Sequence, residues 1–253
     1  MSIRKASQLP ETQGTNGDDR IADTAESRRI LGLGGNDFVN GFGGDDEIYG
    51  NLGLDTLNGG LGSDFLFGGR DNDALDGQED NDQIFGNLGA DVLVGNSGND
   101  SLFGGRENDV LNGSAGNDLL SGDLGFDVLI GSFGNDTLVV RVDPEANSFD
   151  YLRDFIPGED KIALGGGLTF NDLEITTARS VGLTGSVQQT QALRSQFTPW
   201  GSNLSNVVDE SLVLRVRSTG QTLAILNHQP TNTISPAATL TPASLTPADF
   251  VAI

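Results

Sequence analysis

From Gly14 to Val139 the sequence repeats every nine residues without a break in phase, through 14 blocks. Each block reads G-x-x-G-x-D-x-U-x, where U is a large aliphatic residue. The eighth position is aliphatic throughout, from Ile21, Ile30 and Val39 to Leu120, Leu129 and Leu138. The sixth is Asp in every block but one, where Arg28 stands instead. The first is Gly except at Asp23, and the fourth is Gly except at Glu26, Asp71, Asp80 and Glu107. A short fixed period held this long confines the chain to a solenoid, in which each unit buries its apolar face only against its neighbours.

The chemistry within a block divides into a turn and a strand. Glycine at the first and fourth positions permits positive φ and close backbone approach. Clusters such as Gly35-Asn36-Asp37 and Gly44-Asp45-Asp46 are turn formers. Runs such as Asp64-Phe65-Leu66-Phe67 and Asp127-Val128-Leu129-Ile130 suit a short strand after the Asp. With one fixed aliphatic per block, the core of each coil is thin.

The block resembles the RTX, or hemolysin-type, calcium-binding nonapeptide, most closely at Gly59-Gly60-Leu61-Gly62-Ser63-Asp64-Phe65-Leu66-Phe67. The resemblance covers residues 14–139, about half the chain. It implies an all-β fold: a parallel β-roll of about seven coils with two blocks per coil, followed by a small β-rich C-terminal cap and secretion region. In such a roll the first six residues of each block turn and hold Ca²⁺, and the last three form a strand with its aliphatic residue inward. Seven coils at about 4.8 Å per strand give a rod of roughly 34 Å.

Ca²⁺ takes six to eight oxygens from carboxylates and backbone carbonyls. With two blocks per coil, the Asp residues form two columns. One holds Asp19, Asp37, Asp55, Asp73, Asp91, Asp109 and Asp127. The other holds Arg28, Asp46, Asp64, Asp82, Asp100, Asp118 and Asp136. An ion between successive rungs gives six gaps in the first column and five in the second, whose first gap Arg28 spoils, for up to about 11 ions. The side chains of Asp71, Asp80 and Glu107 make their gaps less favourable, because they replace Gly in a tight turn.

Charge supports the same reading. Residues 14–139 hold 24 acidic and 5 basic side chains, a net of −19 out of −22 for the whole chain. Such a rod repels itself, and about 11 divalent ions would cancel the repulsion. Folding is therefore expected to need metal, with the metal-free array largely disordered. The acidic balance also disfavours nucleic acid as a partner.

Residues 1–13 read as a polar leader with Arg4 and Lys5 and without the apolar stretch of a Sec signal. No apolar run reaches transmembrane length, and the chain has no cysteine. Residues 140–228 read as a β-rich capping region. Its segment Ser148–Leu164 resembles the one that follows the repeats in secreted RTX proteins and closes the roll. Asp154 and Asp160 are candidates there for a terminal ion, and equally for turn or capping roles. Ser211–Val216 and Thr222–Asn227 read as a hairpin around Ser218-Thr219-Gly220. Residues 176–206 read as a long loop carrying the only tryptophan, Trp200, a ligand-site or packing residue.

Residues 229–253 read as a flexible Pro/Thr/Ala/Ser-rich tail. Its end, Asp249-Phe250-Val251-Ala252-Ile253, is similar to the uncleaved C-terminal signal of type I secretion substrates, although a terminal strand looks the same. The resemblance thus implies export through type I machinery and an extracellular, calcium-folded protein. A catalytic role is not expected. The only histidine is His228, so no two-histidine metal site can form, and no Gly-x-Ser-x-Gly elbow occurs. Three readings remain: a non-catalytic calcium-binding protein, a module for an extracellular polysaccharide or cell surface, and a cryptic enzyme in residues 140–253.

Overall fold

The computed structural model describes residues 9–23, 25–142, 149–177, 212–220, 222–227, 242 and 245–253. The readings of Trp200, His228 and most of the 176–206 and 229–244 segments lie outside the described residues.

The array opens with β1 (Glu11–Gln13), β2 (Arg20–Ala22), β3 (Arg29–Gly34), β4 (Phe38–Gly43) and β5 (Glu47–Leu52). It continues through β6 (Thr56–Leu61), β7 (Phe65–Arg70), β8 (Ala74–Glu79), β9 (Gln83–Leu88) and β10 (Val92–Ser97). It ends with β11 (Ser101–Arg106), β12 (Val110–Ala115), β13 (Leu119–Leu124), β14 (Val128–Phe133) and β15 (Thr137–Val140). Beyond it lie β16 (Asp150–Arg153), β17 (Lys161–Leu164), β18 (Leu173–Thr177), β19 (Leu212–Val216), β20 (Thr222–Asn227) and β21 (Phe250–Ala252).

Odd and even strands separate into two sheets. One runs β1-β3-β5 through β17 to β21, and the other runs β2-β4 through β16 to β20, β19 and β18. Every pairing inside the array is parallel with an 18-residue offset, as in Leu75↔Leu93↔Leu111. Two blocks therefore make one coil, and the molecule is a parallel β-roll as the repeat requires. The eighth-position side chains from Ile30 to Leu138 are almost fully buried between the sheets. Leu152 pairs with Leu129, and Ile162 with Leu138, so both core rows continue past the last block.

The strands are longer than the three residues expected. Each full strand begins at the seventh position, crosses the block boundary and ends at the third position of the next block. At the second position the backbone bends into positive φ, at Leu33 (84°), Asn51 (79°) and Ser132 (74°) among others. The glycine before the bend lies two residues after the eighth position, so by strand alternation the two share the buried face.

The C-terminal strands close the far end. β19 and β20 form the expected antiparallel hairpin, with β18 added at its edge, and β20 docks parallel to β16. In the other sheet β21 docks parallel to β17. The terminal apolar residues, read also as a secretion signal, thus form a strand of the folded protein. Asp249 anchors it: one oxygen accepts from the Gly158 N–H at 2.9 Å, the other from the Thr246 N–H at 2.7 Å and its hydroxyl at 2.8 Å.

Candidate metal centre

Each sixth-position Asp sits at the end of a turn, directly before a strand. Its backbone C=O already serves the ladder, as Asp46 accepts from the Phe65 N–H at 2.8 Å. Its carboxylate reaches back one coil. Asp64 Oδ1 accepts from the Asp46 N–H at 2.7 Å, and Asp46 Oδ1 from the Arg28 N–H at 2.7 Å. The same bond links Asp19 to Asp37, Asp37 to Asp55, Asp55 to Asp73, Asp73 to Asp91, Asp91 to Asp109 and Asp109 to Asp127. It also links Asp64 to Asp82, Asp82 to Asp100, Asp100 to Asp118 and Asp118 to Asp136. The two columns read from the sequence are therefore physical columns, one along each edge of the roll.

The second oxygen is different. Oδ2 of Asp37, Asp46, Asp55, Asp64, Asp73, Asp82, Asp91, Asp100, Asp109 and Asp118 is buried without a hydrogen-bond donor. A buried acceptor left unpaired costs its full desolvation, so the position demands a proton or a cation. The surroundings name the second ligand type. A Cβ built on Gly41 would lie 2.5 Å from Asp46 Oδ2 and 2.5 Å from the carbonyl oxygen of Gly59 in the next coil. At Gly14 the corresponding distances to Asp19 Oδ2 and the Gly32 carbonyl are both 2.7 Å. Carboxylate and carbonyl oxygens thus crowd one point beside the first-position α-carbon. That glycine is required by this crowding; the positive φ expected of it belongs to the second position instead.

Among the described residues no three His, Cys, Asp or Glu side chains converge as a metal cage. The donor set is one carboxylate oxygen per turn with backbone carbonyls, the oxygen-only mixture that suits a hard cation such as Ca²⁺.

Electrostatics point the same way. Burial, partly offset by the backbone N–H each carboxylate accepts, pushes Asp64 and Asp73 up to about 8 and Asp46 and Asp82 up to about 7. Asp55, Asp91, Asp100, Asp118 and Asp136 rise to about 6. Asp109 rises to about 9, by burial first and then by the neighbouring Asp127 carboxylate. Rows of carboxylates this reluctant to ionise are stabilised by a bound cation.

Departures from the repeat have specific consequences. Asp71, Asp80 and Glu107 adopt φ of 72°, 75° and 80°, so the fourth-position turn survives their side chains. Asp71 and Asp80 accept weakly from the Gly53 and Gly62 N–H groups one coil back, at 3.3 and 3.2 Å. Asp160 extends the second column 24 residues after Asp136, accepting its N–H at 3.0 Å, while its other oxygen accepts the Ile156 N–H at 2.7 Å. Both Asp160 oxygens are thus held by backbone. Asp154 takes φ 59° and accepts from the Ser132 N–H at 3.2 Å.

One ladder escaped the sequence reading. Fifth-position oxygens accept from N–H groups one coil onward: Asn36 from Leu54 at 2.9 Å, Asn99 from Asn117 at 2.7 Å and Asn117 from Asn135 at 2.8 Å. The recurrence of Asn at that position was its only signal.

The family model of the RTX calcium-binding nonapeptide repeat, in four copies, matches residues 29–57, 49–84, 58–93, 85–120, 94–129 and 112–140. No curated relative matches the chain. No helix among the described residues is long and apolar enough to cross a membrane. The roll across residues 29–140 is an array of RTX calcium-binding nonapeptide repeats.

Proposed function

We propose that this is an extracellular, non-catalytic calcium-binding protein whose roll folds on Ca²⁺ after export through type I machinery. The observation that carries the reading is the pair of Asp columns, eight of whose turns, from Asp37 to Asp100, offer a buried Oδ2 without a donor beside a backbone carbonyl. Ca²⁺ held there would supply the positive charge those oxygens lack, with the thirteen sixth-position Asp residues as side-chain ligands. The chain's own part is to align the oxygens, exclude water around them and stack the turns at the strand spacing. Where Ca²⁺ is scarce the acidic array stays open and exportable. Where it is abundant, the coils stack and β21 docks on β17, withdrawing the terminal segment. Deleting residues 229–253 should abolish export by a type I transporter, while normal secretion of the truncated chain would contradict the export half of the reading.

A second reading, binding of an extracellular anionic polysaccharide, is favoured by a groove on the odd-strand sheet. It runs beside Tyr49, Phe67, Leu52, Leu88 and Arg70. Arg70 and Arg106 are exposed and take part in none of the ion pairs formed among the described residues. Calcium-dependent retention on a polyuronate column that is lost in Arg70→Ala with Arg106→Ala would support it, and no retention would remove it.

A further inference from the structure

The block from Asp23 to Leu31 departs from the repeat at three fixed positions at once: Asp23 at the first, Glu26 at the fourth and Arg28 at the sixth. The structure brings the three together. Arg28 Nε lies 2.9 Å from Asp23 Oδ1, and Arg28 Nη2 lies 3.6 Å from Glu26 Oε2. The first contact is a charge pair set off the N–H axis. The Asp23 side chain is almost wholly buried and the Arg28 side chain three-quarters so. Asp23 Oδ2 also accepts from the Thr12 hydroxyl at 3.3 Å.

The exchange at the first and sixth positions is sterically coupled. In the next turn of the same column, a Cβ on Gly41 would lie 2.5 Å from Asp46 Oδ2, closer than real Cβ atoms come. A side chain at the first position and an Asp at the sixth therefore exclude one another. Block 23–31 relieves the carboxylate half of this crowding, because its sixth residue is not Asp, and Arg28 in turn acquires the carboxylate partner a buried guanidinium needs. The backbone keeps its regular form. The Arg28 N–H still donates to Asp46 Oδ1 at 2.7 Å, its C=O still accepts from the Glu47 N–H at 2.8 Å, and the Asp23 N–H still donates to the Asn40 C=O at 2.9 Å.

We propose that this block carries its own cation: the Arg28 guanidinium, clamped by Asp23 and Glu26, takes the charge-balancing place in the gap between the turns ending at Arg28 and Asp46, and that gap binds no calcium. The inference rests on the calcium reading of the other gaps and adds to it that the array's first complete coil is held by a covalently attached charge. The roll then has one rung whose closure needs no metal, next to rungs whose closure does.

The test is calcium stoichiometry by native mass spectrometry of the full chain. Restoring the repeat with Asp23→Gly, Glu26→Gly and Arg28→Asp together should add one Ca²⁺ per chain over the unaltered protein. Arg28→Asp alone should add none, since the Asp23 Cβ occupies the space its carboxylate needs. A folded triple variant with unchanged stoichiometry, or a gain in the single variant, would overturn the proposal. A calcium anomalous map of the unaltered protein tests it without substitution. An ion expected between the Asp46 and Asp64 turns and none between the Arg28 and Asp46 turns supports the proposal, and an ion in the latter gap refutes it. Ions in neither gap would instead strike down the calcium reading, and the inference with it.

Discussion

From Asp37 to Asp118 each sixth-position Asp gives one oxygen to a backbone donor and buries the other without one, and this sets the pH dependence. The ordinary value near 3.8 is raised on folding, to about 8 for Asp64 and Asp73 and about 9 for Asp109, chiefly by burial. The metal-free roll thus holds protons that the unfolded chain releases. Its stability is greatest at the acid side and falls as pH rises from about 4 through about 9. In EDTA, lowering the pH from about 9 to about 5 should restore β-structure in far-UV circular dichroism; a spectrum indifferent to pH would show that the carboxylates are not buried together. Because proton and cation compete for Oδ2, the Ca²⁺ midpoint should rise as pH falls below about 7. Crowding at the first position gives a second prediction. Gly41→Ala forces a methyl against Asp46 Oδ2 and the Gly59 carbonyl and should destabilise the calcium-loaded roll by about 1–3 kcal/mol. Gly17→Ala, whose Cβ would meet only Thr15 Oγ1 at 3.9 Å, should change little. Chemical denaturation in excess Ca²⁺ compares them, and equal losses would contradict the crowding argument.

At the scale of the coil, stability comes from stacking like on like. Leu93 is fully buried between Leu75 and Leu111. Leu93→Ala should cost about 2–5 kcal/mol in thermal or chemical unfolding of the calcium-loaded protein. Outside, Tyr49, Phe67, Phe85 and Phe103 form a ladder with ring centroids 4.7, 5.0 and 5.1 Å apart, capped by Arg29 over Tyr49. Phe67→Ala breaks two stacks at once and should cost about 1–3 kcal/mol, each stack contributing about 0.5–1.5. A loss at Phe67 equal to that at Leu93 would mean that the outer ladder, not the inner row, carries the coil. These elements were unequally legible in the sequence. The inward row and the Asp columns follow from the period once two blocks make a coil, and the hairpin follows from Ser218-Thr219-Gly220. The full strand length does not, because Leu33, Phe42 and Gln78 adopt positive φ that their residue types disfavour, each held in register by pairing with a neighbouring strand. The docking of β21 on β17 was also hidden. It depends on contacts such as Gly158 with Asp249, 91 residues apart, and a terminal apolar segment reads alike as strand or signal.

For the whole molecule, electrostatics decide whether the coils close. A chain of net charge −22, with −19 of it on residues 14–139, closes two columns of buried carboxylates only if those charges are matched. On the proposed reading the Asp23–Arg28 pair matches one rung from within the chain, and Ca²⁺ matches others. The most direct test is far-UV circular dichroism of the EDTA-stripped protein near pH 8 during a Ca²⁺ titration, with Mg²⁺ as the control. A cooperative coil-to-β transition driven by Ca²⁺ and not by Mg²⁺ is the predicted result. A metal-free protein already folded at that pH, and unchanged by Ca²⁺, would contradict it.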